Sequence, residues 1–323
     1  MKRKFRLILP IAMTCFVLSG CDFFNKISGN TNNKDYGEYY KGYDMSLKGD
    51  KLARELQKLS FDKHTKWITY GQITSYYVKT SDHNSSDAIA DGSEKYELFY
   101  TGGTKSTYEK TENREHVWPC ANSSALWSHD QNGSDDVHYV DDRYYVGGGS
   151  DLYHVRPCNG NVNTARGNAK FVDFSDEEFA SLRSGCIKYG DNFGSMKVIL
   201  SGADTTGSVP EYAEKCEVDD NMKGDVARIV AYIWMHYTER GVTPDVSVKS
   251  GGRTYRYKDM TGQLSLKNIL GYEDINRCKA VLKEWNDMDA PSDVEKLRND
   301  TVQKIQGNRN PFVDHPDLLD QML

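Results

Sequence analysis

Apolar residues recur at helical spacing in four stretches of the chain. In "DKLARELQKLSF" (50–61), Leu52, Leu56 and Leu59 share one face, which predicts an amphipathic helix. In "GDVARIVAYIWMHY" (224–237) the stripe is Val226, Ile229, Val230, Ile233 and Tyr237. A further helix is predicted over 273–285, with Ile275, Cys278, Leu282 and Trp285 facing inward. Another follows Pro291, capped by Ser292 with Glu295 three residues on, and carries Val294, Leu297, Thr301 and Ile305. These stripes read as core faces, and they make the C-terminal third helical. Strand signals are sparser. "ELFYTGG" (97–103) reads as a short buried strand ending in a turn. "SDEEF", from 175, opens like a capping box, Ser175 with Glu178. Residues 128–150 alternate polar, acidic and glycine positions without period and read as a long loop.

The N-terminus has a different pattern. "MKRKFR" is basic, and "LILPIAMTCFVL" is apolar but short for a bilayer span. "LSGC" (18–21) resembles the cleavage site of bacterial lipoproteins. That resemblance implies a signal peptide over 1–20, export, and Cys21 as the lipid-modified first residue, holding the protein to the outside of a bacterial membrane. Residues 21–42 are rich in Asn, Gly and Lys and read as a tether. A single domain then runs over 43–323, with no internal repeat. No other run is long and apolar enough to cross a membrane.

Composition excludes disorder for that domain, since 38% of residues are hydrophobic and 11% aromatic. The net charge of −6 becomes −10 once Lys2, Arg3, Lys4 and Arg6 leave with the leader. An acidic chain binds nucleic acid only through a local basic patch or bound cations. Seven cysteines stand at 15, 21, 120, 158, 186, 216 and 278. None forms a CxxC pair, which disfavours a zinc ribbon or thioredoxin-like motif. Bridges Cys120–Cys158 and Cys186–Cys216 are both open from sequence.

Candidate chemistry concentrates in two segments. "ENREHVWPCANSS" (112–124) sets Glu115 beside His116, an acid next to a base whose ordinary pKa lies near neutrality. In a regular strand the two would point to opposite faces. A shared task therefore requires a strand end or bend, and Pro119 supplies one. "DLYHVRPCNGNVNTARGNAKF" (151–171) is dense in His154, Arg156, Asn159, Asn161, Asn163, Arg166 and Asn168. Amide oxygens coordinate hard cations and arginine recognises phosphate. Arg156, Arg166 and Arg309 are candidate phosphate contacts, and each could equally be an internal donor. His138, among Asp135, Asp136, Asp141 and Asp142, reads as part of a solvated acidic loop, and His236 as core or rim.

Taken together, "NREHVWP" and "DLYHVRPCNGNVNTARGN" resemble the bacterial endonuclease I family. The likeness extends to "YYKGYDMSLKGDKLARELQKL", to the Gly-Asp-x-x-Arg helix at 224–228, and to "LKEWNDMDAPSDVEKLRNDTVQKIQGNRNPFVDHPDL" (282–318). It spans roughly 36–318, in order. The resemblance implies an α+β fold: a ββα-metal (His-Me finger) core embedded in a largely helical single domain. It implies an endonuclease that hydrolyses phosphodiester bonds of DNA, with RNA as a further substrate, to 5′-phosphate ends with little sequence specificity. His116 then corresponds to the general base, and Glu115 and Asn163 to the protein ligands of one divalent cation. That cation is expected to be Mg²⁺, with Mn²⁺ or Ca²⁺ as alternatives. Arg143, in the connecting loop, corresponds to a phosphate contact. Where the family often has Asp-Leu-His-His, this chain has Asp151-Leu152-Tyr153-His154. The expected form is a monomer. The rival reading is a noncatalytic nucleic-acid-binding surface lipoprotein on the same scaffold.

Overall fold

A computed structural model describes residues 34–109, 111–123, 126, 142–175, 177, 184–188, 195–200, 213–241 and 244–323. Cys21, the leader, most of the tether, Glu178 of the capping box, and His138 with Asp135, Asp136 and Asp141 lie outside them. The chain divides into two compact units, Met1–Tyr39 and Tyr40–Leu323. The second carries everything below. No helix among the described residues is long and apolar enough to cross a membrane.

The unit mixes helices with small sheets. Helix α1 (Gly49–Lys63) is followed by the short α2 (Ile73–Tyr77) and the hairpin β1 (Tyr96–Leu98) and β2 (Gly103–Lys105). Next comes β3 (Glu112–His116), antiparallel to β4 (Val155–Asn159), and β4 runs directly into α3 (Gly160–Arg166). A four-stranded sheet has the order β5 (Lys170–Phe171), β8 (Ala213–Glu217), β7 (Ser195–Leu200), β6 (Ser184–Lys188), with β5 parallel to β8. Helix α4 (Asp220–Tyr237) precedes a second hairpin, β9 (Ser247–Ser250) and β10 (Arg253–Arg256), and α5 (Tyr257–Met260). Helices α6 (Ile275–Met288), α7 (Asp293–Gln306), α8 (Pro311–Asp314) and α9 (Asp317–Met322) complete the chain.

The hydrophobic pattern locates the core. Leu52, Leu56 and Leu59 of α1 are buried, as is the whole predicted stripe of α4. Helix α4 packs against α1 and α6 and is enclosed on most sides. Two predicted faces differ. Ile275 opens α6 and is exposed, while Cys278, Leu282 and Trp285 are buried as expected. On α7, Leu297 is exposed and Val294 half-buried. The inner face of α7 is instead polar: Glu295, Arg298, Asn299, Thr301 and Gln306 are buried beside Val302 and Ile305. Glu295, Arg298, Asn299 and Gln306 each have a partner elsewhere in the fold, which a hydrophobic pattern does not reveal. The Ser292 cap is as predicted, its Oγ accepting the Glu295 N–H at 3.1 Å.

The Gly-Asp-x-x-Arg segment explains how α4 docks. Arg228 is fully buried and donates to the Asp289 carbonyl at 2.6 Å and, through Nε, to Glu295 Oε1 at 3.0 Å. Gly224 lets this happen, since a Cβ there would sit 1.9 Å from the Asp289 carbonyl oxygen. Gly224→Ala should cost at or above the upper end of the ~1–3 kcal/mol typical of overpacking. Urea denaturation reads it directly, and a midpoint equal to the parent's would contradict the packing described.

Candidate active site

Strand β3 ends at His116, so Glu115 and His116 occupy the strand terminus that their joint use requires. Opposite them on β4 lie Arg156 and Val155 respectively. Helix α3 starts where β4 stops, capped by the Asn159 side chain, which accepts from Asn161 N at 2.9 Å. It contacts both strands. Its last residue, Arg166, reaches the end of β3: Nη2 donates to the Val117 carbonyl at 2.7 Å and Nη1 to the His116 carbonyl at 3.2 Å. Asn163 lies one turn earlier, on the same helical face as Arg166.

Glu115 is buried. Its Oε1 accepts the Tyr100 hydroxyl at 2.7 Å and lies 3.4 Å from Arg166 Nη1. Burial pushes its carboxyl above the ordinary value, and Arg166 and Tyr100 pull it back. Oε2 accepts no hydrogen bond among the described residues, yet it is not one of the sealed, unpartnered atoms. The half-buried Asn163 carboxamide likewise has no hydrogen-bond partner among the described residues. One hard carboxylate oxygen and one amide oxygen on facing elements suit a divalent cation that keeps several waters.

His116 is held by its far nitrogen. Nε2 lies 2.9 Å from the Gly149 carbonyl, which fixes Nε2 as the protonated nitrogen and leaves the lone pair on Nδ1. Burial depresses the ring to about 4, opposed by that carbonyl and reinforced by Arg114 and Arg166. Tyr70 stacks on the ring at 5.7 Å, and the Arg114 guanidinium caps Tyr70 at 3.7 Å. Glycine at 149 lets this turn pack against Leu126 and Tyr145. A Cβ there would stand 2.7 Å from the Leu126 carbonyl oxygen.

The remaining expectations divide. His154 is fully buried, donating from Nδ1 to the Gly148 carbonyl (2.6 Å) and accepting the Trp118 N–H at Nε2 (2.9 Å). It braces the turn that His116 leans on. Arg156 and Arg166, expected as phosphate contacts, are both buried: Arg156 pairs with Asp87 at 2.6 Å, Arg166 with Glu115. Their role is internal. Arg309 pairs with Asp314 at 2.6 Å and Asp300 at 2.8 Å. Arg143 is exposed, just before the glycine run. Cys120, Cys158, Cys216 and Cys278 are free thiols, so neither open disulfide pairing forms. Nothing in the sequence marks Tyr70 or Tyr100 for this site, and for Gly149 the visible signal is the Gly147–Gly149 run.

The C-terminal "QGNRNPF" segment supports the site from behind. Gln306 accepts the Leu152 N–H at 2.7 Å and donates to Asp151 Oδ1 at 3.0 Å, and Asn308 donates to the Tyr232 hydroxyl at 2.7 Å. Behind it, His64, Asp151 and His236 form a buried group whose ligand atoms lie within 4.8 Å of one another, a possible metal-binding triad.

Residues 48–317 match the family described as Endonuclease I. The chain is 28% identical over 296 residues to the "Extracellular ribonuclease" of Bacillus subtilis (strain 168), covering 89% of this chain and 79% of that one. It is also 28% identical over 306 residues to the "Extracellular ribonuclease" of Bacillus amyloliquefaciens, covering 90% and 80%.

Proposed function

The chain belongs to the endonuclease I family, and from that premise we propose a metal-dependent endonuclease that hydrolyses phosphodiester bonds of DNA and RNA, with little sequence specificity, to 5′-phosphate ends. The observation that carries the reading is the strand-end pair itself: His116 pinned through Nε2 to Gly149, next to a buried Glu115 whose Oε2 has no hydrogen-bond partner among the described residues. In this reading His116 Nδ1 takes the proton of the attacking water. Burial keeps the ring in its neutral, proton-accepting form, although the same burial weakens it as a base. Glu115 Oε2 and the Asn163 carboxamide would hold the cation, Mg²⁺ by preference, with Mn²⁺ or Ca²⁺ as alternatives. When bound it supplies charge neutralisation at the phosphate and at the leaving oxygen. Arg166 opposes the upward push of burial on Glu115 and holds the end of β3 in place. Arg143 is the proposed phosphate contact, being the exposed cation leading into the Gly149 turn. RNA is included because both relatives are named ribonucleases. Their extracellular naming also fits the leader, and we propose a lipid anchor on Cys21 ahead of a monomeric catalytic domain.

The test is incubation of the purified protein with plasmid DNA and with RNA, in Mg²⁺ and in EDTA. Metal-dependent cleavage of either is expected, and binding without cleavage would favour the noncatalytic alternative. Glu115→Ala and Asn163→Ala should each raise the Mg²⁺ needed for half-maximal rate, by about 10–100-fold or more on the scale of perturbed metal sites. Unchanged Mg²⁺ titrations in both variants would remove them from the metal site.

A further inference from the structure

Two histidines are buried in the core: His236, in the last turn of α4, has no hydrogen-bond partner on either ring nitrogen, and His64, at the end of α1, has only a weak contact with the Lys66 backbone. Buried ring nitrogens left in this state are costly unless a ligand completes them. The rings lie 5.7 Å apart between centroids, and Asp151 completes the group. Stacking fixes both planes, His64 on Trp67 at 3.7 Å and His236 on Phe61 at 4.2 Å. Four donors hold the Asp151 carboxylate: Tyr153 N at 2.8 Å, Gln306 Nε2 at 3.0 Å, and the Tyr232 and Tyr237 hydroxyls at 2.8 and 2.7 Å.

From this geometry we infer that His64, His236 and Asp151 form a structural site for a zinc-class divalent cation, separate from the Glu115–Asn163 pair. Two imidazoles and one carboxylate are the ligand set such ions prefer, whereas Mg²⁺ and Ca²⁺ prefer all-oxygen shells. A tetrahedral ion at ~2.0–2.1 Å from each ligand spaces them by about 3.4 Å, so the three side chains draw inward from their present limit of 4.8 Å. One tyrosine hydroxyl on Asp151 yields its place, and a water fills the fourth position. The site joins α1, α4 and the Gly148–Asp151 turn. That turn carries the Gly149 carbonyl that orients His116, so an ion here would stiffen the turn without touching substrate.

The experiment is metal analysis of the full chain, purified from zinc-supplemented medium and dialysed. About one zinc per chain is expected to remain. The Glu115→Ala/Asn163→Ala double variant should retain as much, which separates this site from the one proposed above. His64→Gln and His236→Gln should lose it, and chelator should lower the melting temperature of the parent but not of these variants. If the variants fold poorly, cobalt substitution of the parent decides: visible bands of nitrogen-ligated tetrahedral Co²⁺ support the site. A parent that retains no zinc and shows no such bands overturns it. So does a folded His64→Gln or His236→Gln variant with the parent's full zinc content.

Discussion

Replacing His116 with alanine should slow cleavage of DNA and RNA by ~10²–10⁴-fold, the range for loss of a general base, while leaving the fold intact. The size follows from how completely the ring is prepared. Its tautomer is set by the Gly149 carbonyl at 2.9 Å, its protonation state by burial, and its plane by Tyr70. The neighbouring His154 ring and the core histidines cannot substitute for His116. His154 is sealed behind it with both nitrogens occupied, and His64 and His236 lie in the core. The ring is only half-buried and sits at a strand end, so its removal leaves no large cavity. Initial rates on plasmid and on RNA, with circular dichroism as the folding control, decide the matter. A variant that cleaves at the parental rate would end the assignment of His116 as base.

Much of this arrangement was legible in the sequence because it is local. The pairing of Glu115 with His116, the breaker at Pro119, the Asn163 segment and the leucine stripe of α1 all lie within short windows. What was not legible depends on contacts between distant residues. Arg156 and Arg166 have the composition of phosphate binders, but Asp87, 69 residues from Arg156, and Glu115 claim them first. The inner face of α7 looked apolar through Val294 and Leu297, yet Arg298 and Asn299 face inward because Asp87, Asn310 and Asp314 wait there. Tyr100 was assigned only to a strand-like run. It has a left-handed backbone (φ 69°), and its hydroxyl is placed on Glu115 by that turn. No pattern of hydrophobicity encodes such a hydroxyl's destination.

The largest loss of stability is expected at a residue far from the chemistry in sequence, Asp87. Its fully buried carboxylate accepts Arg156 Nε at 2.6 Å and Arg298 Nε at 2.9 Å, with the Ser86 hydroxyl at 2.6 Å. Asp87→Ala would strip two buried guanidinium groups of the carboxylate with which both pair. Breaking a buried pair in this way costs about 3–5 kcal/mol, or roughly 6–15 °C in Tm for a domain of this size. Activity should fall with it, because Arg156 stands opposite Glu115 in the β3–β4 register and Arg298 holds the Leu152 carbonyl. Replacing all three members by apolar residues of similar volume should recover much of the loss, since the cost lies in the stranded charges. The pH dependence has a definite sign. Burial alone would raise the Asp87 carboxyl, but Arg298 and Arg156 outweigh it and hold it below the ordinary value. Its contribution is therefore present above the usual carboxylate range and is lost as pH falls through its depressed folded value. Denaturant melts of parent and Asp87→Ala should differ most near neutrality and converge in strong acid. A gap that stayed constant across that range would show that the carboxylate's charge is not what holds β4 to α7.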